Sequence, residues 1–405
     1  MQNVKLSENN NSIIKVIGVG GGGSNAVTYM YKQGIKGVDF AICNTDAQAL
    51  NISNVPNKLQ LGINLTMGHG AGSTPQVGKD AALENIDKIK NFFGINTRMV
   101  FITAGMGGGT GTGASPVIAQ IAKEMKILTV GIVTMPFSFE GKKRKNQAYE
   151  GIMELKKYVD TLLIISNDRL RSMFGNLSLS NAFSEADNIL TTASKGIAEI
   201  ITLPGYINVD FEDVRTVMSN GGVAIMGSYQ IGGENRAHDA VEGALHSPLL
   251  NDNKISGAKY ILLNITSGNK EVLLEELTEI TDYIQEQAEF DADIIWGHCY
   301  DEELGDDISV TVIATGFNSI ENNNSIFFNE KKDNNTFNVI HNQYLCSDNN
   351  NNIIVHHKNR YLYHLYKNIN SYNKLYDLKK HYSNVNYLKK EPAYKRRKIL
   401  IKDFI

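Results

Sequence analysis

Gly105-Met106-Gly107-Gly108-Gly109-Thr110-Gly111-Thr112-Gly113 follows an apolar, strand-like run and leads into a helical pattern. Six of these nine residues are glycine. Ordering so much glycine costs backbone entropy that a simple turn has no need to lose. Bare backbone amides at a helix N-terminus suit phosphate oxygens, and the hydroxyls of Thr110 and Thr112 lie in reach. The stretch therefore reads as a cradle for a polyphosphate. A second loop, Gly18-Val19-Gly20-Gly21-Gly22-Gly23-Ser24, matches GxGxxG through Gly18, Gly20 and Gly23. Alone it is equally a tight strand-to-helix turn with no ligand. A third, Gly68-His69-Gly70-Ala71-Gly72-Ser73, lies in the same half of the chain, and three such loops suit three phosphates. His69 reads as a tolerated surface residue.

Outward from the loops, short runs rich in Val and Ile alternate with helical patterns. Ile13–Val19, Val38–Cys43, Met99–Thr103, Ile127–Thr134 and Thr161–Ser166 carry few charges. Such runs mark strands buried on both faces, hence a parallel sheet. With helices expected at Ala114–Lys126 and Asn146–Lys157, the rhythm predicts a doubly wound α/β domain whose ligand sits at the C-terminal ends of the strands. A long helix follows, with Ala182, Ala186, Ile189, Leu190, Ala193, Ile197, Ile200 and Ile201 at helical spacing. Ser180 or Asn181 is its expected N-cap and Pro204-Gly205 its stop. Residues 206–317 read as a second α/β unit, with strands at Tyr260–Ile265 and Ile308–Thr315 and a helix at Glu271–Gln287.

The organisation expected is a disordered N-terminus at 1–12, a nucleotide domain at 13–179, the central helix at 180–204 and a C-terminal α/β domain at 205–317. An Asn-rich linker at 318–352 and a basic tail at 353–405 complete it. Thirteen of the 35 linker residues are Asn. The tail carries 13 Lys/Arg against 3 Asp/Glu, so an acidic body bears a basic extension. That suggests an acidic partner or an anionic surface, or simply a solvated tail. Three cysteines, Cys43, Cys299 and Cys346, form no CxxC pair and fit no disulfide framework, which points to a reducing cytoplasm. No apolar run reaches about 18 residues, so no membrane insertion is expected.

The chain has no GxxxxGK[ST] and no NKxD. A Rossmann dehydrogenase would use the first glycine loop with Asp39 on the ribose, but would not need the second loop. That reading stands as the alternative, together with a tubulin-like scaffold that does not hydrolyse.

Gly105–Gly113 with Ala114-Ser115-Pro116 resembles the signature of the FtsZ/tubulin family, and the FtsZ branch more than eukaryotic tubulin. Further matching stretches follow in order: Gly18–Val27, Asn44-Thr45-Asp46, Gly70-Ala71-Gly72, Met135-Pro136-Phe137 through Arg144, Asn167-Asp168 and Phe183 through Asp187. Then come Asn208 through Arg215 and Ile295-Trp296-Gly297 through Asp301-Glu302. The resemblance implies a two-domain tubulin/FtsZ-like fold: a Rossmann-like GTP-binding domain, a long central helix, a smaller α/β C-terminal domain, then disordered linker and tail. It implies a GTPase activated by self-assembly, with GTP or GDP bound and Mg²⁺ accompanying the nucleotide without a dedicated protein metal cluster. Gly20, Gly21, Gly22 and Gly107, Gly108, Gly109, Thr110 and Gly111 would cradle phosphates, with Asn25, Asn44 and Asp46 nearby. Ala71 and Gly72 would sense the γ-phosphate, and Glu140 and Arg144 would hold the ribose. Asn167 and Asp187 would read guanine, and Phe183 would stack on it. From the residues alone, Phe183 reads as core and Glu140/Arg144 as a surface i,i+4 pair.

Asn208, Asp210 and Asp213 are implied to be catalytic. Phe183 and Asp187 begin the long helix while these three lie past its end, about 30 Å away. One nucleotide cannot reach both sets, so carboxylates that act must act on a neighbour's nucleotide in a polar homopolymer. The bland alternative is a helix cap, with Asp210 as N-cap. Residues 390–398 resemble the family's C-terminal recognition peptide, which implies a membrane-anchoring division protein such as FtsA as partner. No nucleic-acid partner is implied, and the location implied is the mid-cell division ring on the inner face of the membrane.

Overall fold

The computed structural model describes residues 12–35, 37–174, 178–202, 207, 209–247, 255–289 and 292–317. Asn208, Cys346, the Pro204-Gly205 stop, the expected disordered N-terminus through residue 11, the linker and the tail lie outside them.

Strands β1 (Ile14–Val19), β2 (Val38–Asn44), β3 (Asn57–Gln60), β4 (Met99–Gly105), β5 (Leu128–Met135) and β6 (Thr161–Ser166) pair in parallel. Strands β7 (Gly222–Ile231), β8 (Tyr260–Ser267), β9 (Asp293–Tyr300) and β10 (Ile308–Thr315) continue the sheet, in the order β3-β2-β1-β4-β5-β6-β7-β10-β8-β9. The join is short: Thr161, Leu162 and Leu163 of β6 pair in parallel with Gly222, Val223 and Ala224 of β7. Helices are α1 (Gly20–Lys32), α2 (Ala47–Ile52), α3 (Ile63–Thr66), α4 (Pro75–Leu83), α5 (Ile86–Phe93), α6 (Thr110–Glu124) and α7 (Lys142–Leu155). After them come α8 (Asn167–Phe174), α9 (Leu179–Thr202), α10 (Phe211–Met218), α11 (Arg236–Leu245) and α12 (Leu274–Gln287).

The strand runs are buried on both faces, as their composition requires. On one face Val16, Phe101, Val130 and Leu163 pack with Met30 of α1 and Ile189, Ala193 and Ile197 of α9. On the other, Ile17, Ile102, Val133 and Leu162 pack with Ala81 of α4, Ile118 of α6 and Ile152 of α7. Helix α9 holds 24 residues and is about 36 Å long, longer than the strands it crosses. Near its start Phe183 meets Phe137, just past the C-terminal end of β5. At its end the side chain of Thr202 lies against Gly37, which precedes β2, so closely that a Cβ on Gly37 would sit 2.6 Å from the Thr202 Cβ. The helix thus runs from one edge of the sheet to the opposite edge.

Several boundaries differ from the sequence reading. Helix α6 begins at Thr110, inside the glycine run rather than at Ala114, because first-turn amides need no intrahelical partner and glycine costs little there. Helix α9 starts at Leu179, ahead of both expected caps. Helix α12 starts at Leu274 rather than Glu271, because the Glu276 carboxylate accepts a hydrogen bond from Leu273 N at 2.8 Å and fixes Leu273 as an extended N-cap. His298 and Cys299 lie in β9, the last strand of the sheet. Burial pushes the Cys43 thiol up to about 12 and the Cys299 thiol up to about 11, so both stay protonated.

The second half of the sheet is organised around Arg236, which is fully buried. Its guanidinium donates to both oxygens of Glu276 at 2.7 and 2.9 Å, and to the carbonyls of Lys270, Glu271 and Asp306 at 2.9–3.0 Å. All five N–H donors are matched, and the Glu276 carboxyl is held below its usual range by that pairing. Replacing Arg236 by Met removes the guanidinium from three carbonyls and leaves the Glu276 carboxylate with Leu273 N but no countercharge, and should destabilise the fold by about 3 kcal/mol or more. Because the folded pKa of Glu276 is depressed, the wild-type advantage holds above the ordinary glutamate pKa and fades as pH falls through the folded value. Urea unfolding of wild type and Arg236→Met at pH 7 and pH 4 measures both effects, and equal midpoints would refute them.

Candidate functional site

The glycine loops stand back to back at the C-terminal edge of the parallel strands. A Cβ on Gly20, whose φ is +71°, would sit 2.7 Å from Gly111 N. A Cβ on Gly111 would sit 2.6 Å from Gly105 O, and one on Gly22 would sit 3.1 Å from the Gly105 Cα. These glycines are required by the close approach of the two loops. Gly21 and Gly108 are different: each has an ordinary φ, and a Cβ there would meet nothing within 4 Å. The fold gives no reason for glycine at either position, whereas a ligand lying against the backbone does. Helices α1 and α6 both start at these loops without a side-chain cap, so their first amides face outward unsatisfied.

The loop at 68–73 closes on the same place. Ala71 is buried, and its Cβ would lie 2.8 Å from a Cβ on Gly109. Gly72 has φ +56° with open space around it. Thr45, just past β2, ties the three segments together. Its hydroxyl pairs with that of Thr110 at 2.7 Å, and its carbonyl accepts from Gly70 N at 3.3 Å. Thr112 is turned inward, its hydroxyl accepting from Gly107 N at 2.8 Å, so it braces the loop rather than reaching for a phosphate. Asn44 is buried and accepts from Asp46 N at 3.3 Å, and one Asp46 oxygen caps α2. Asn25 is exposed on α1, and His69 is exposed as well, its backbone in an isolated β-bridge with Asp46.

Beside the phosphate loops lies a pocket edge suited to a base. Asn167, at the start of α8, is buried, and its Oδ1 has no hydrogen-bond partner. A buried acceptor without a donor is costly and points to a missing ligand. Asp187 on α9 is half-buried, and burial pushes its carboxyl up to about 7. Guanine fits both: N1–H and N2–H donate to a carboxylate, a pair that adenine lacks. Phe183 is 41% exposed despite its size, standing edge-on to buried Phe137. Glu140 and Arg144 form an ion pair at 2.8 Å, and Glu140 also accepts from Phe137 N at 2.9 Å. The carbonyl of Arg144 lies 2.8 Å from where a Cβ on Gly107 would be, so this pair borders the phosphate loop.

Asp39, the ribose acceptor of the dehydrogenase alternative, lies at the wrong end. It is the second residue of β2, remote from the glycine loops, and pairs with Lys15 at 3.0 Å.

Asp210 and Asp213 are not in this cluster. They start α10, past the far end of α9, in a reciprocal cap: Asp213 N donates to Asp210 Oδ1 at 2.9 Å and Asp210 N to Asp213 Oδ2 at 3.3 Å. The capping reading therefore holds, and it leaves a second oxygen on each carboxylate. The other end of α10 is fixed by Thr161 and Thr315, whose hydroxyls donate to Met218 O at 2.5 Å and Val217 O at 2.7 Å. Ahead of α10, Ile207 O accepts from His298 N at 3.0 Å. Burial lowers the pKa of His298, whose Nε2 lies 2.8 Å from Ser267 Oγ. Gly297 leaves room for that segment, since a Cβ there would approach the Val209 side chain to 2.9 Å.

Comparison with known proteins bears on the same features. Residues 13–175 match the family model described as Tubulin/FtsZ family, GTPase domain, and residues 222–318 match FtsZ family, C-terminal domain. The chain is 50% identical over 321 residues to "Cell division protein FtsZ" of Buchnera aphidicola subsp. Baizongia pistaciae, covering 78% of this chain and 83% of that one. It is 50% identical over 310 residues to the protein of the same name from Coxiella burnetii, covering 76% and 80%. The solved structure described as an empty FtsZ dimer from M. jannaschii superposes with a TM-score of 0.71 at 42% identity, covering 77% of this chain and 90% of that one.

Gly21→Ala should fold as well as wild type, since nothing opposes the methyl and alanine favours helix. Guanine-nucleotide affinity should nevertheless fall at least about tenfold, because the methyl occupies the ligand's space. Thermal melting with and without GDP separates the two effects, and unchanged affinity would show that the open space at Gly21 is not the ligand's. A pH effect is also expected. Burial pushes the Asp187 carboxyl up to about 7 in the free protein, and a carboxylate, unlike a carboxylic acid, can accept both N1–H and N2–H of a guanine placed there. Affinity for GDP should therefore be level above about pH 7 and fall toward tenfold per pH unit below it. Calorimetry at pH 6 in buffers of different ionisation enthalpy should register about one proton released on binding; none released would count against this role.

Proposed function

Since the chain belongs to the Tubulin/FtsZ family of GTPases, we propose that it assembles head to tail into filaments of the division ring and hydrolyses GTP at each junction between copies. Its GTPase class, guanine-nucleotide substrate and cell-division role rest on that membership. The polymer and the shared active site are the further reading. One observation carries it: α9 contacts Phe137 at the glycine-loop edge of the sheet and Gly37 at the opposite edge, with Asp210 and Asp213 beyond. A nucleotide on the loops is out of their reach within one copy, and in reach of the next copy's in a head-to-tail stack.

In this reading the amides of Gly20–Gly22 and Gly107–Gly111 hold the phosphates, and Ala71 and Gly72 register the γ-phosphate. Glu140 and Arg144 hold the ribose, Asn167 and Asp187 the guanine, and Phe183 covers its face. Mg²⁺ is held by phosphate oxygens and water. The outer oxygens of the neighbour's Asp210 and Asp213, with Asn208, orient a water for in-line attack on the γ-phosphorus, and GDP leaves. Exposed apolar side chains at both ends support burial against another copy: Ile63, Leu65 and Met67 beside the glycine loops, and Ile207 beside α10. Residues 390–398 engage a membrane-anchoring division protein such as FtsA, which keeps the filament on the inner face of the membrane at mid-cell.

An Asp213→Ala chain and an Asp187→Ala chain should each turn over little GTP alone. Mixed, they form junctions pairing an intact nucleotide pocket with an intact acidic pair, and turnover should return in proportion to those junctions. Co-sedimentation of both chains without any recovered phosphate release would refute the shared site.

A further inference from the structure

The turn between β5 and α7 carries two groups of the candidate nucleotide pocket within four residues: Phe137, which meets Phe183, and Glu140, which pairs with Arg144, with Ser138 between them. The start of α8 carries a third, Asn167. These two segments are 30 residues apart in sequence, and one side chain joins them. Asp168 accepts from Ser138 N at 2.8 Å through Oδ1 and from Ser138 Oγ at 2.5 Å through Oδ2. Lys145 of α7 stands 4.0 Å from the same Oδ2. A carboxylate that takes two donors from one residue fixes orientation as well as distance, and charge-assisted bonds are the stronger kind.

Resting on the guanine-nucleotide reading above, we propose that Asp168 is a positioning residue for the guanosine end of the substrate. It does not face the reacting phosphorus. It locks the turn that holds the ribose pair and Phe137 to the residue next to Asn167, so the groups that grip ribose and base keep one spacing. Without the lock, the Phe137–Glu140 turn retains its own bonds, namely Phe137 N to Glu140 and Glu140 N to the Phe137 carbonyl. It would still be a turn, but no longer registered against α8, and ordering it would fall to the incoming nucleotide. The triphosphate cradle is built from other segments and keeps its geometry.

This separates Asp168 from a residue that merely stabilises the fold. Asp168→Ala should weaken GDP and GTP alike, by about tenfold for the loss of a two-point charged contact. Competition by inorganic tripolyphosphate, which engages the cradle alone, should be unchanged. In steady state KM for GTP should rise while kcat at saturating GTP stays at the wild-type value. Asp168→Asn keeps an acceptor for Ser138 N and an amide for Ser138 Oγ, so it should recover most of the affinity. Ser138→Ala removes the Oγ contact from the other side and should reproduce part of the loss with α8 untouched, which keeps the test available if Asp168→Ala does not fold. Equal nucleotide affinity in Asp168→Ala and wild type would overturn the proposal, as would a loss of kcat with KM unchanged, or tripolyphosphate binding that falls in step with GDP. Failure of the wild-type chain to prefer GDP over tripolyphosphate would instead overturn the guanine reading on which it rests.

Discussion

The structure depends on backbone amides that the chain leaves unpaired. Two helices, α1 and α6, begin at the C-terminal edge of a parallel sheet with no side chain capping either. In most helices a Ser, Thr, Asp or Asn closes the first turn. Here Val19 and Gly109 hold those positions and offer nothing, so the donors are left for water or an anion from outside. The loops can present them together only because Gly20 and Gly111 let two backbones approach closer than a Cβ permits. Glycine also raises the entropy lost on ordering, so the loops resist their own structure until a ligand holds them. A nucleotide that binds only the folded form returns stability by mass action. Folding and substrate binding are therefore linked at the place where the sequence is least committed to structure.

The second constraint is the length of α9. A strand of six or seven residues spans about 20 Å, whereas α9 spans about 36 Å. A helix that long cannot finish on the edge where it starts, and its terminal contacts with Phe137 and Gly37 mark the two edges. Chain order then decides the rest: whatever follows α9 is delivered to the far side of the sheet. Helix α10 is held there by Thr161 of one half of the sheet and Thr315 of the other. Its last turn is thereby braced by both halves, and a relative shift of the two halves would be carried along its eight residues to the acidic pair at the other end.

What was legible in the sequence follows the same division. The parallel sheet could be read from Met99–Thr103 and Ile127–Thr134 because strands buried on both faces leave little room for polar residues. The loops could be read because no turn requires six glycines. The start of α6 was misplaced, at Ala114 instead of Thr110, because glycine is a poor helix former in the interior and an inexpensive one in the first turn. Arg236 gave no signal, since its partners Glu276 and the Asp306 carbonyl lie 40 and 70 residues away and no local pattern announces them. Thr45 and Asp168 lay within recognisable motifs, yet their tasks depend on pairings across 65 and 30 residues that only the folded chain reveals.

The site also explains why its aromatic and acidic members look out of place in isolation. Phe183 is exposed, Asp187 carries a carboxyl that burial pushes up to about 7, and Asn167 has an acceptor without a donor. Each is a small local fault: an unburied ring, a charge opposed by its surroundings, an unmatched lone pair. They converge on one edge of the same pocket, beside helix termini that lack caps. Faults of each kind occur elsewhere singly, whereas these three share a remedy. One planar ligand with two adjacent N–H donors, a carbonyl group and a polyphosphate would cover the ring, ionise the carboxyl and fill the empty space at Gly21 and Gly108. The pocket is thus specified by complementary deficiencies, and guanine nucleotide chemistry is what completes all of them at once.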